Sequence, residues 1–176
     1  MGGPSWYEIL GDVMDLRSFS SMWYWIVVAL AWSTASHWIL GVPWDMVRRA
    51  RRGSARARED IPALIAIHRR RWLEVADLAG PVAALITGFL LSVLGVSGFL
   101  YGIEFAQAVF LILAPMTWVG AMTLSFARAL PDPLPPVEEL AARLAMQRRR
   151  IQLVGVLSIF ATAFWGMARV MHASVL

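Results

Sequence analysis

The sequence predicts an all-α, polytopic membrane protein with four transmembrane helices, and three observations carry that expectation. Hydrophobic residues fill 59% of the 176 positions and the mean hydropathy is +0.60, above what a water-facing surface tolerates. Four apolar stretches run for about 20 residues or more, the length that crosses a hydrocarbon core of roughly 30 Å at about 1.5 Å per residue. The 16 basic residues are all arginine, and nine fall in one intervening segment and five in another, leaving Arg17 and Arg169 elsewhere.

The elements follow in chain order. Residues 1–20 place Trp6, Ile9, Leu10, Val13 and Leu16 near one helical face and Glu8, Asp12 and Asp15 on the other, the pattern of an amphipathic helix lying on a membrane surface. Three acids against Arg17 reverse the positive n-region of a cleavable signal peptide, so this segment is expected to remain attached. Residues 21–176 form the transmembrane domain. Its first span covers 22–42, with Trp23, Tyr24 and Trp25 at one end and Trp38 and Trp44 at the other as two interfacial belts. Pro43 and Asp45 end it.

The segment 43–77 holds Arg48, Arg49, Arg51, Arg52, Arg56, Arg58, Arg69, Arg70 and Arg71. Gly53 and Ser54 are expected to break an arginine-bearing helix, with Asp60 capping a second one and Pro62 in its first turn. Leu64, Ile65, Ile67, His68, Trp72 and Leu73 give that second short helix an apolar side toward membrane or partner. The second span, 78–100, turns tightly through Tyr101, Gly102, Ile103 and Glu104 into the third, 105–127, which predicts an antiparallel hairpin with a kink at Pro115. The segment 128–150 begins with a proline-stiffened stretch and continues as a short amphipathic helix from about Val137. The fourth span is 151–171.

Arginine near span ends sets orientation, whereas acids matter little. The loops 43–77 and 128–150 are therefore expected to be cytoplasmic, with both termini outside, in a bacterial cell inner membrane.

Several side chains are candidates for function. The nine arginines of the first loop can hold anionic lipid or an acidic protein face, besides orienting the spans. Aromatics are not interleaved with them and no recognition motif is present, which argues against nucleic acid. The histidines are His37, His68 and His172. His37, with Ser33 one turn earlier, is the weak candidate for a cofactor contact, and a structural hydrogen bond is the competing reading. Glu104 stands at a turn, where water reaches it, so it reads as a turn carboxylate more than as a transport site. Small residues at four-residue spacing, Ala84, Gly88 and Ser92 in the second span and Ser158, Thr162 and Gly166 in the fourth, mark helix packing within the chain or between subunits.

Enzymatic chemistry finds no support. Without a cysteine there is no disulfide, no CxxC pair and no thiolate for iron or zinc. No nucleophile elbow, zinc-protease motif, P-loop or dinucleotide fingerprint occurs, and no carboxylate pair has a base in reach. No metal, no resident cofactor and no small-molecule substrate are expected. Lipids are expected around the chain, with pigment or quinone only through a partner.

The run LRSFSSMWYWIVVALAWSTASHWILGVPWDMVRRARR, residues 16–52, and the run YGIEFAQAVFLILAPMTWVG, residues 101–120, resemble a family of small alphaproteobacterial membrane proteins labelled components of the SufBCD complex. WSTASHW and GIEFAQ are the specific parts, and the likeness covers roughly a third of the chain. It implies tethering of the cytosolic machinery that assembles iron-sulfur clusters. The residues alone imply a noncatalytic accessory or scaffold subunit that binds other proteins. The alternatives are a supernumerary subunit of a respiratory or photosynthetic complex, and a small oligomeric transporter, which would need a mid-membrane charge.

Overall fold

The computed structural model of the chain describes Phe19 and residues 21–174. The surface helix expected over residues 1–20 lies, apart from Phe19, outside the described residues. The described chain runs α1 (Met22–His37), β1 (Trp38–Ile39), β2 (Val42–Pro43), α2 (Trp44–Arg51), α3 (Ala55–Gly95), a π-helical turn (Val96–Leu100), α4 (Glu104–Ala129) and α5 (Val137–Ser174).

Helix α1 forms because the run MWYWIVVALAWSTASH carries no proline, glycine or fixed charge before its last residue. It stops at His37, short of the expected limit at Val42. Leu40 and Gly41 both take positive φ, 48° and 77°, and such a left-handed pair closes a two-residue hairpin with the twist of its strands. Trp38 pairs with Pro43 and Ile39 with Val42. Gly41 is required twice over, since a Cβ there would also collide with the imidazole of His68 on α3. The 16 residues of α1 are about 24 Å long, less than a hydrocarbon core.

The expected break at Gly53 and Ser54 is present, but the helix beyond it starts earlier than the sequence suggests. Ser54, not Asp60, is the N-cap, its Oγ accepting from the Ala57 N–H at 3.4 Å. From there α3 continues for 41 residues through Pro62 and Pro81, so the short helix of the loop and the second span are one rod. The last segment repeats this: α5 runs unbroken from Val137 to Ser174, joining the short helix at 137–150 to the span at 151–171. Arginine is a good helix former and the RRR triplets contain nothing that breaks a hydrogen-bond ladder. Of the separate short helices expected in the loops, only α2 is observed.

Among the described residues three helices are long and apolar enough to cross a membrane: 55–100 with its π-helical turn, α4, and α5 as far as Arg169. The hairpin between the first two forms as expected, through Tyr101–Ile103. Pro115 lies inside an unbroken α4. A proline cannot donate to the carbonyl four residues back, and that carbonyl, of Leu111, instead accepts from the Ser158 hydroxyl of α5 at 3.4 Å.

The packed core lies at one end of the molecule. Ile39, Leu40, Val42, Val47, Ile61, Ile65, Leu140, Leu144 and Ile151 are all within 2% of complete burial and join into one cluster with Ala127 and Leu130. That cluster draws mainly on the hairpin, α2 and the arginine-bearing ends of α3, α4 and α5, and extends along α1 to Trp32 and Val28 and along α4 to Val119. Along the apolar stretches the reverse holds, and Leu78, Leu85, Phe89, Leu100, Phe160 and Phe164 face outward.

Candidate functional site: an arginine-rich platform

The sequence treats the arginine segments as loops with charges on them. The structure folds them over a core. Val47 and Ala50 of α2 point inward and so turn Arg48, Arg49, Arg51 and Arg52 outward, as the 3.6-residue period requires. Ala57, Ile61 and Ile65 do the same on α3, so within the apolar side expected at 64–73 Ile65 faces the core, Leu64 lies partly against it, and Ile67 and Trp72 remain exposed.

The nine arginines then divide by partner. Arg49 is held by Asp45 at 2.9 Å, one helical turn away. Arg58 reaches Glu138 on α5 at 3.1 Å and also donates from Nε to the Ala50 carbonyl at 3.3 Å, clamping α2, α3 and α5 together. Arg69 donates from Nε to the Ala127 carbonyl at 3.1 Å and from Nη1 to that of Pro131 at 3.4 Å, so it pins the chain leaving α4. Arg70 lies 3.7 Å from Glu74. Among the described residues, Arg48, Arg51, Arg52, Arg56 and Arg71 have no carboxylate partner, and all five are exposed.

A tenth arginine, outside the nine, organises the platform. Arg148 donates from Nε to the Ser36 carbonyl at 3.0 Å, one of the last carbonyls of α1, and its guanidinium stacks 4.4 Å from the centre of the Trp44 ring. It joins α1, α2 and α5 at one point. Nothing in the sequence distinguishes it from Arg149 and Arg150, because the distinction depends on which face of α5 meets α1.

His37, expected in the first span, is the last residue of α1. It stands half-exposed, with Nε2 4.0 Å from the Asp45 carboxylate and its ring edge-on to Trp38. Among the described residues no three side chains of metal-ligating type converge.

At the opposite end Glu104 begins α4, where its charge suits the helix N-terminus, and its Oε1 accepts from the Phe19 N–H at 3.0 Å. Beside it Gln107, 2% exposed, is satisfied at both ends: Nε2 donates to the Gly98 carbonyl at 2.7 Å and Oε1 accepts from the Trp165 indole at 2.9 Å. Gly98 must be glycine, as a Cβ would sit 2.9 Å from the Gln107 nitrogen. In the sequence, a lone glutamine in an apolar run was the available signal for this network.

The two small-residue stripes have different fates. That on α5 packs within the chain: Gly166 meets Phe19, Thr162 is buried, and the stripe extends one step to Gly155, over which Trp32 of α1 lies so closely that a Cβ would be 2.7 Å away. On α3, Ser92 bonds back to the Gly88 carbonyl at 2.8 Å, while Ala84 and Gly88 line an open groove of about 600 Å³ between α3 and α4. Gly80, Gly88 and Gly120 all have free space where a Cβ would be. No family model, curated protein or solved structure matches the chain.

Proposed function

We propose that the chain is a noncatalytic accessory subunit of the bacterial inner membrane, whose arginine platform docks the acidic face of another protein at the cytoplasmic surface. The observation that carries this reading is the set Arg48, Arg51, Arg52, Arg56 and Arg71, exposed and without a carboxylate partner among the described residues, on a platform where Arg49, Arg58, Arg69 and Arg148 are held by its own residues. Cations needed only for orientation do not need a rigid mount. Guanidinium groups fixed relative to one another suit a surface of matching carboxylates.

In this reading α1 is a fourth span, short by itself and completed by Phe19 and the hairpin at its two ends, and both termini lie outside. The arginine distribution supports that orientation. The resemblance to the SufBCD-labelled family makes the iron-sulfur assembly machinery the first partner to look for, with this chain as its tether.

A second reading, a supernumerary subunit of a respiratory or photosynthetic complex, is favoured by the α3–α4 groove. Small side chains with open space beside them admit a partner's transmembrane helix at close range.

One experiment separates the two. Arg48, Arg51, Arg52, Arg56 and Arg71 are replaced together by lysine, which preserves the positive-inside signal but not the planar fork. Proteins recovered with the chain in mild detergent are then identified by mass spectrometry, and topology is read with reporters inserted after Gly53 and Pro133. Platform docking predicts loss of the partner with both reporters still cytoplasmic. A partner that survives the lysine set and high salt, where exposed charge pairs are screened, refutes platform docking and moves the contact to the groove.

A further inference from the structure

Next to that groove, with Ala121 of α4 lining both, lies a cavity of about 480 Å³ between α4 and α5, lined by Trp118, Met122, Ser125 and Phe126 from one and Gln147 and Arg150 from the other. We propose that it holds the headgroup and upper acyl region of one anionic phospholipid. Gln147 is 2% exposed and its Nε2 has no acceptor, an uncommon situation for a buried amide and a costly one unless something from outside accepts the bond. Among the described residues Arg150 has no carboxylate partner, and its one side-chain hydrogen bond is a weak donation to the Met146 sulfur at 3.8 Å. Every polar group facing the cavity can donate, and no carboxylate lines it. The complementary ligand is rich in acceptor oxygens, negatively charged and apolar at one end.

Depth identifies the source. Between Arg150 and Arg169, α5 carries 18 consecutive uncharged residues, about 27 Å of helix and close to a hydrocarbon thickness. Arg150 therefore stands at the headgroup boundary. Trp118, the cavity residue farthest toward the apolar side, lies where an acyl chain begins. The phosphate sits on Arg150, an ester or glycerol oxygen accepts from Gln147 Nε2, and the chain leaves along Trp118 and Met122. A quinone would use Gln147 and leave Arg150 idle, which is why the lipid is the occupant argued here.

The test uses the full chain purified in mild detergent. Native mass spectrometry of the wild type should show one retained phosphatidylglycerol, and added phosphatidylglycerol should raise the Tm where phosphatidylcholine, a quinone analogue and inorganic phosphate do not. Arg150→Gln should lower retention about tenfold or more, the worth of one hydrogen bond to a charged group, and Gln147→Met about fivefold, the worth of a neutral one. Arg149→Gln makes the same charge change one residue away, off the cavity, and should leave retention intact. Gln147→Met removes an unpaired buried donor and keeps the volume, so in lipid-free detergent its Tm should equal or exceed that of the wild type, which verifies folding. No retained lipid in the wild type, equal loss in Arg149→Gln, undiminished retention in Gln147→Met, or equal stabilisation by phosphatidylcholine, quinone or free phosphate each overturns the proposal.

Discussion

The two ends of α3 are made by one continuous helix and follow different rules. Toward Ala55 it buries Ala57, Ile61 and Ile65 in a core like that of a water-soluble protein, with arginines turned outward. Toward Gly95 the same helix turns Leu85, Phe89, Leu90 and Val93 outward and leaves Gly80, Ala84 and Gly88 along an open groove beside α4. A change of solvent from water to lipid along the helix, as the proposed membrane placement requires, accounts for it. In water, removal of apolar area drives packing, whereas between lipid and protein that drive is nearly absent and close backbone approach with a few hydrogen bonds takes over. The arginine end is thus a folded body in its own right, and a basic patch mounted on a folded body can be specific where a flexible basic loop cannot.

If that contrast is right, its largest expression is in core truncation. Leu144→Ala, at a site of 0% exposure in the arginine-end cluster, should cost about 2–5 kcal/mol in a reversible detergent-mixture unfolding titration. Phe89→Ala, 67% exposed on the apolar stretch, removes a larger side chain and should change the same free energy by less than about 0.5 kcal/mol. Equal costs would mean that the apolar surface of α3 is already packed against another copy or subunit in the purified material.

A smaller effect sharpens the lipid half of the comparison. Ser158 takes up the carbonyl that Pro115 leaves free, so Ser158→Ala should cost about 0.6–1.7 kcal/mol in the native chain. In a Pro115→Ala background the ladder of α4 is restored and the serine has no vacant carbonyl to serve. The double-mutant cycle should therefore return a coupling close to the whole effect. Additive costs would show that Ser158 contributes by its size, as a member of a packing stripe, and not by its hydroxyl.

Much of the fold was legible because periodicity and hydropathy act locally. The tight turn before Glu104, the helix break at Gly53 and Ser54 and the long apolar helices all follow from neighbouring residues. What was not legible depends on distant partners. Leu40 reads as part of a span, and only Gly41 closing against His68 makes it a turn residue. Asp60 reads as a cap until Ser54 is seen to have taken that place. The arginines are the clearest case: a count gives only an expected side of the membrane, and Arg58, Arg69 and Arg148 differ from Arg56, Arg71 and Arg149 only in what α1, α2, α5 and the end of α4 bring near them.

The smallest expected change in stability is the one that best divides architecture from recognition. Arg58 and Arg56 lie two positions apart on α3, both exposed and both one positive charge, so neutralising either alters the orienting signal equally. Arg58→Gln loses the Glu138 pair, which at the surface is worth about 0.2–1 kcal/mol, along with the bond to the Ala50 carbonyl that steadies the end of α2. A small loss of Tm is expected, and 0.5 M salt should lower the wild type nearly to the same value, because screening removes the pair there too. Arg56→Gln breaks nothing within the described residues and should leave the Tm unchanged. Partner recovery should show the opposite order, with Arg56→Gln weakening capture and Arg58→Gln affecting it only as far as α2 loosens. Were Arg58→Gln to abolish capture while Arg56→Gln left it whole, the docking surface would have to include Glu138 and the start of α5, and the division of the arginines into clamps and contacts drawn from their partners would be wrong at that position.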